Sequence, residues 1–298
     1  MDFTEHIKKS KPNASTGTIK TYNSLLKTIY INVFGNDKTP DLRKFSKTEE
    51  IINYLNDKPF NARKTYLSAL LCIEPDEKLY KTLMLKDIKE YNDNVESGVK
   101  SEKLKQNEID DDELEEITNK LKNNAEVLFK KSSHKISDLM EIQNYIIFSL
   151  YNGLYIVPRR SLDYVNKKIS NFSPETDNYM DIKKGRMVFN RFKTDKFKGQ
   201  QVLEIPPALK KILIRWILLI PDDVDYLFFN KKKEKLTSIT LNQRLNGIFG
   251  AKKSVNSFRH SYLTKKYKST MEENKKMEAE MDAMGSSSNM ANNYIKLN

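Results

Sequence analysis

The sequence predicts a mainly α protein carrying one small antiparallel β-sheet, divided into an N-terminal helical domain and a C-terminal α+β domain. Three observations predict it. Apolar residues recur at helical spacing along most of the chain. The period shifts to short strand-like runs only between Ile169 and Ile205. A polar, charged stretch at residues 94–109 separates two segments, 1–93 and 110–298, each long enough to enclose a core of its own.

In the first segment, residues 15–34 read as an amphipathic helix. Ser15 or Thr16 stands at its cap, and Ile19, Tyr22, Leu25, Leu26, Ile29 and Val33 fall on one face. A second helix fits Lys47 to Leu55. A third runs from about Asn61 to Cys72 with Tyr66, Leu67 and Leu70 on one side, and a fourth begins near Pro75 and carries Leu79, Tyr80, Leu83 and Ile88. Together they form a compact four-helix unit. Residues 94–107, with Ser97, Gly98 and Ser101 among many charges, read as a solvated linker. The acidic run Asp110 to Glu116 reads as a solvated helix face, with a second role open to it at the positive end of the next helix dipole.

The second segment starts with helices near Glu113–Lys130 and Ile136–Asn152. Tyr179–Ile182, Met187–Phe189 and Val202–Ile205 are short strands, separated by Lys183-Lys184-Gly185 and by Lys193 to Gly199. Helices return at Pro207–Leu219, Ser238–Phe249, Ser254–Tyr267 and Met271–Met284.

Composition narrows the function. The chain has 298 residues and a formal net charge of +12 despite 40 acidic residues, which points to a polyanionic partner. No N-terminal apolar run resembles a secretory leader and no apolar stretch is long enough to span a bilayer, so an intracellular protein without a membrane partner is expected. The single cysteine, Cys72, lies in an apolar run and reads as a buried thiol. Three histidines and one cysteine are a poor zinc set, so neither a metal nor another cofactor is expected.

Four places in the second segment hold groups suited to a phosphodiester. Pro158-Arg159-Arg160, followed by Asp163-Tyr164, reads as a helix start with the arginines in its first turn. Alone, paired arginines are usually surface ion-pair formers. Lys193-Thr194 lies in the connection between two strands, where an isolated lysine is a solvated turn residue. In Asn256-Ser-Phe-Arg-His-Ser-Tyr262, Phe258 and Tyr262 turn to the core while Asn256, Arg259 and His260 fall elsewhere on the helix. An arginine in an apolar-patterned helix is costly to bury without a partner, and an anionic ligand is one such partner. Met284-Gly285-Ser286 leads to Tyr294, a lone terminal tyrosine that is either a packing residue or a nucleophile.

In their order and spacing, these groups resemble the tyrosine recombinases, the phage-integrase-like family. The tags Pro158-Arg-Arg160 with Asp163-Tyr164, Phe192-Lys-Thr194 with Gly199-Gln200, and Asn256 to Tyr262 look most like integrases of giant viruses, virophages and related eukaryotic mobile elements. The resemblance covers residues 110–298, and more loosely the N-terminal helices, which are similar to the family's core-binding domain. It implies that one of Arg159 and Arg160 is the family's first arginine. Arg160 is favoured, since it lies one position beyond the turn set by Pro158. It further implies Lys193 as the hairpin lysine, Arg259 as the second arginine and Tyr294 as the nucleophile. Two positions depart from the pattern: Asn256 stands where histidine is common, and Ser286 where histidine or tryptophan is common. Asparagine and serine donate hydrogen bonds to phosphate, but asparagine cannot shuttle protons at neutral pH. His260 is the available substitute.

The function so implied is a site-specific recombinase or integrase that cleaves and rejoins double-stranded DNA through a 3′-phosphotyrosyl intermediate, without metal or ATP. It would act as a homo-tetramer on paired sites, integrating a viral or mobile-element genome in the host cytoplasm or nucleus. Three rivals remain. A type IB topoisomerase shares the chemistry; a catalytically weak DNA-binding protein would retain the fold; an RNA-binding helical protein recruited by charge gives Tyr294 no role.

Overall fold

The computed structural model describes residues 1–37, 39–99, 102–250, 253–287 and 290. The chain divides into two compact units, Met1–Lys100 and Ser101–Asn298, each with its own buried apolar cluster.

The first unit is helical throughout. Its elements are α1 (Thr4–Ser10), α2 (Thr16–Phe34), a 3-10 turn (Leu42–Ser46), α3 (Thr48–Asn56), α4 (Phe60–Leu70) and α5 (Lys78–Glu96). The Ser15 side chain accepts from the Thr18 N–H and starts α2. Leu26, Ile29 and Tyr30 then face the core at the spacing the sequence shows. The helix α1 was not legible in the sequence, because seven residues give no period. It forms because Phe3 and Ile7 are fully buried, with Phe3 edge-on to Phe45 at 5.4 Å. Tyr80 closes the unit by donating to the Phe45 carbonyl at 2.7 Å. Cys72 is buried.

Much of the stretch expected as linker is structured. The helix α5 runs to Glu96, and α6 (Glu102–Gln106) follows. Ile109 is buried in the second unit's cluster, its N–H donating to Ser261 Oγ at 3.2 Å.

In the second unit, Asp110 accepts from the Asp112 and Glu113 N–H groups and opens α7 (Asp111–Phe129). The acidic run is thus a cap and first turn, and not only a solvated face. The helix α8 (Ile136–Tyr151) is the spine of the core, most of it buried between neighbours. Gln143 is buried there because its side chain replaces a strand partner: it accepts from the Phe229 N–H and donates to the Phe229 carbonyl. Next come α9 (Ser161–Val165), β1 (Lys167–Lys168), β2 (Asn178–Asp181), β3 (Arg186–Phe189), α10 (Asp195–Lys198), β4 (Gln201–Glu204), α11 (Pro207–Ile217), α12 (Ser238–Phe249) and α13 (Val255–Ala283).

The sheet has the order β1-β2-β3-β4. Strands β2, β3 and β4 form the expected antiparallel meander. Strand β1 pairs with β2 in parallel, so the sheet as a whole is mixed. Two adjacent lysines make too short a strand for any alternation to show. The C-terminal helix also departs from expectation: the two helices read at Ser254–Tyr267 and Met271–Met284 are one continuous helix, α13. No glycine or proline lies between Val255 and Ala283 to break it.

Candidate functional site

Arginines from two elements of the second unit meet at the end of α8. The chain leaves α8 at Asn152 and turns at Gly153, whose φ of +76° lies in the left-handed region. A Cβ on Gly153 would stand 2.7 Å from Tyr262 Cδ2 of α13, so glycine serves both the turn and the close approach. Phe258 packs on Phe148 and Tyr151 of α8, at 5.8 and 6.2 Å between ring centroids. The N-terminal turns of α13 are therefore clamped to the segment 152–160. Asn242 Oδ1 accepts from the Val255 N–H, and the Ser254–Ser257 capping box fixes where the helix begins.

The two consecutive arginines have different surroundings. Arg159 donates from Nε to Asp163 Oδ2 and from Nη1 to Gln201 Oε1, both at 2.9 Å. Its guanidinium also lies 3.8 Å from the Phe189 ring centroid. It is a strut joining the arginine segment to α9 and β4. The Arg160 side chain makes no hydrogen bond or ion pair among the described residues, and the residue is half-buried. It is the N-cap residue of α9, so the arginines precede the helix rather than occupy its first turn as expected.

Arg259 is half-buried on α13, and its side chain makes one hydrogen bond among the described residues, a long one of 3.4 Å to Asn256 Oδ1. Burial lowers its pKa, and the positive charge of Arg160 lowers it further. Arg160 thus acts on Arg259 as a like charge. Asp163, with a side chain 4% exposed, is a buried carboxyl in the field of the arginines. Burial raises the Asp163 pKa, opposed by Arg159, Arg160 and Lys167. Asp163 Oδ1 and the hydroxyls of Tyr151 and Tyr164 are buried without a hydrogen-bond partner among the described residues. Burial pushes both phenols well above their usual value.

Among the described residues, only Asn256 of the other expected ones bonds a site arginine, Arg259. Asn256 and His260 are exposed on α13. Lys193 is exposed in the turn before α10, within the connection 190–200 between β3 and β4. Asn178 fixes the start of that connection, accepting from the Asn190 and Arg191 N–H groups and donating to the Arg191 carbonyl. Ser286 follows the end of α13. At 1.5 Å per residue, the 24 residues from Arg259 to Ala283 carry the chain about 36 Å along the axis, so Ser286 is not brought to the arginines. Tyr294 lies outside the described residues.

Three neighbours of the site escaped the sequence. Gln201 and Tyr151 carry no local motif. Lys167 is fully buried in β1, donating to the Val188 carbonyl at 2.7 Å and lying 3.3 Å from the face of Phe189. Burial pulls its pKa well below the usual lysine value, and Arg159 adds to that. In the sequence Lys167-Lys168 looks like a solvated pair, and no signal distinguishes them.

Among the described residues, no group of His, Cys, Asp and Glu side chains is placed to hold a metal ion, and no helix is long and apolar enough to cross a membrane. No protein-family model matches the chain, and no curated protein matches it. Among solved structures, the chain is similar to the crystal structure of XerA recombinase. The likeness covers 88% of this chain and 83% of that one, at 15% sequence identity and a TM-score of 0.37.

Proposed function

We propose that the Ser101–Asn298 unit binds double-stranded DNA and cleaves and rejoins its strands, as a member of the tyrosine recombinase family. The observation that carries this reading is the pairing of Arg160 with Arg259. Two half-buried guanidiniums of like charge, neither ion-paired among the described residues, are stabilised by an anion bound to both. A phosphodiester offers the two non-bridging oxygens such a pair would grip, and the net charge of +12 adds the sequence-independent share of DNA affinity. Arg159 is left to hold the segment in place.

In this reading, Tyr294 Oη attacks phosphorus as its proton passes to water, and the P–O5′ bond breaks. The leaving 5′-oxygen takes a proton from the Lys193 ammonium. Arg160 and Arg259 stabilise the charge that grows on the non-bridging oxygens. A 5′-hydroxyl of another strand reverses these steps on the phosphotyrosine. The ordered motif set supports the family; the finer expectations, a homo-tetramer on paired sites and integration of a viral or mobile-element genome, rest on that resemblance alone.

A second reading, a DNA-binding protein with little or no cleavage, draws on the unbroken course of α13, which carries the chain away from Arg259 ahead of Tyr294. A duplex nicked close to the cleavage position separates the two. The recombinase reading expects a protein–DNA adduct that survives boiling in detergent and is absent from Tyr294→Phe. Salt-sensitive binding with no adduct in the wild type leaves only the DNA-binding protein.

A further inference from the structure

The connection 190–200 carries a feature that the proposed chemistry does not use. Phe197, on the single turn α10, is 90% exposed. Around it in the connection are Arg191, Lys193, Lys196 and Lys198 against one carboxylate, Asp195, a net charge of +3 by 4 − 1. The acids nearby, Asp195 and Glu175, line a hollow with Arg191 and Lys196, of which Phe197 is not part. A bare phenyl ring forgoes the gain of burial, and single exposed apolar residues are common enough to need no explanation by themselves. This one differs in its setting. The turn is ordered at both ends: Asn178 holds Asn190 and Arg191, Gln200 donates to Asn190 Oδ1, and the Gly199 N–H closes α10 on the Asp195 carbonyl. The ring is presented by an ordered turn, which lowers the ordering cost of any contact it makes. The turn is also tethered to the arginine site. Gln201, four residues beyond Phe197 and thus within about 14 Å of extended chain, is the residue that bonds Arg159.

We infer that Phe197 is a wedge. On a duplex whose phosphate lies at Arg160 and Arg259, it presses against a base step of the minor groove and partly unstacks it, while Lys196 and Lys198 take the flanking phosphates. The inference rests on the DNA reading above and adds to it an apolar contact with the bases. Charge complementarity selects the partner, since an apolar ring ringed by lysines suits a polyanion with an apolar interior.

The test is binding of the full chain to duplexes carrying 2-aminopurine at successive steps, measured by anisotropy and fluorescence across a salt series. Wild type should raise 2-aminopurine fluorescence at one or two adjacent steps. Phe197→Ala should weaken binding about tenfold and abolish that rise while leaving the salt slope unchanged, because an apolar contact releases no counterions. Phe197→Trp should retain both. Lys196→Ala and Lys198→Ala should each flatten the slope by about one and keep the rise. Wild-type affinity in Phe197→Ala, or a wild type that never perturbs 2-aminopurine, overturns the wedge while duplex binding and adduct formation stand. No duplex binding by the wild type sinks the wedge together with the DNA reading.

Discussion

Each unit of the chain buries an arginine–aspartate pair, and the two pairs are built differently. In the first unit Arg63 grips Asp87 with both ends of its fork, Nε to Oδ2 at 2.9 Å and Nη2 to Oδ1 at 2.7 Å. Both carboxylate oxygens are satisfied, and the bonds to Asp87 raise the Arg63 pKa. In the second unit Arg159 bonds only one oxygen of Asp163 and spends the rest of its fork on Gln201. The other oxygen of Asp163 is orphaned, while Arg160, Arg259 and Lys167 stand in its field or in that of its neighbours. The first pair is closed: one cation, one anion, complete bonding. The second has a surplus of cations over anions and unmet hydrogen-bonding capacity. A closed pair serves the fold, and an open one has room for a ligand.

The comparison can be broken by removing one partner from each. Arg63→Ala leaves Asp87 buried and unpaired, and the expected loss is about 3–5 kcal/mol of stability, read from denaturant unfolding of the full chain. Adduct formation at a temperature where the variant is folded should be unaffected. At the open site the balance reverses. Arg160→Ala and Arg259→Ala should each slow adduct formation on the nicked duplex by about 10²–10³-fold, with thermal stability unchanged or slightly raised, because a like-charge repulsion is relieved. Arg159→Ala should act like the Arg63 variant and lower stability. If Arg160→Ala unfolds the unit while Arg159→Ala leaves it stable, the assignment of strut and ligand is inverted.

The clamp that brings the arginines together gives the next effect. Gly153→Ala forces a Cβ onto the Tyr262 ring and a side chain into a left-handed backbone position. A loss of about 1–3 kcal/mol is expected, with a further fall in duplex affinity as α13 is levered off the arginine segment. Unfolding curves and anisotropy on the same preparation check it. A stability loss with unchanged affinity would mean that Arg259 is placed by something other than this contact.

What could be read from the sequence follows from the length of each signal. The helices α2, α7 and α8 run 16 to 19 residues and show their faces through repeated Leu, Ile and Tyr. The strands β2 to β4 were found because β-branched and aromatic runs are bracketed by Gly185 and Gly199. Elements of a few residues, α1 and β1, have no period to show, and α9 was legible only through the proline before it. The arginines, Lys193 and the Asn256–Tyr262 segment were legible as an ordered set of motifs. Arg160 was favoured over Arg159 from its place after Pro158; what engages Arg159 was not legible, because its partner Gln201 lies some 40 residues away in the chain. The break expected within α13 failed for a related reason: polarity alone between Tyr267 and Met271 does not interrupt a helix that lacks glycine and proline.

The smallest effect bears on the protonation of Asp163. Burial raises its folded pKa while three cations oppose the rise, so the net upward direction means that desolvation prevails. An acid with a raised folded pKa binds its proton more readily in the folded state than in the unfolded one. Its contribution to stability is therefore greatest at low pH, declines as pH climbs from the ordinary value of 3.8 toward the folded pKa, and is flat above that. Other shifted carboxylates, such as Asp177 and Glu126, are lowered and act in the opposite sense, while burial raises Glu74, so the wild-type profile alone does not isolate Asp163. The difference between wild type and Asp163→Asn does. It should fall with rising pH across that window, at no more than about 1.4 kcal/mol per pH unit, and then level. A difference that rises with pH would show the guanidiniums prevailing over burial. Asp163 would then be ionised throughout, the surplus of positive charge at Arg160 and Arg259 would be smaller, and the contrast with the closed Arg63–Asp87 pair would narrow accordingly.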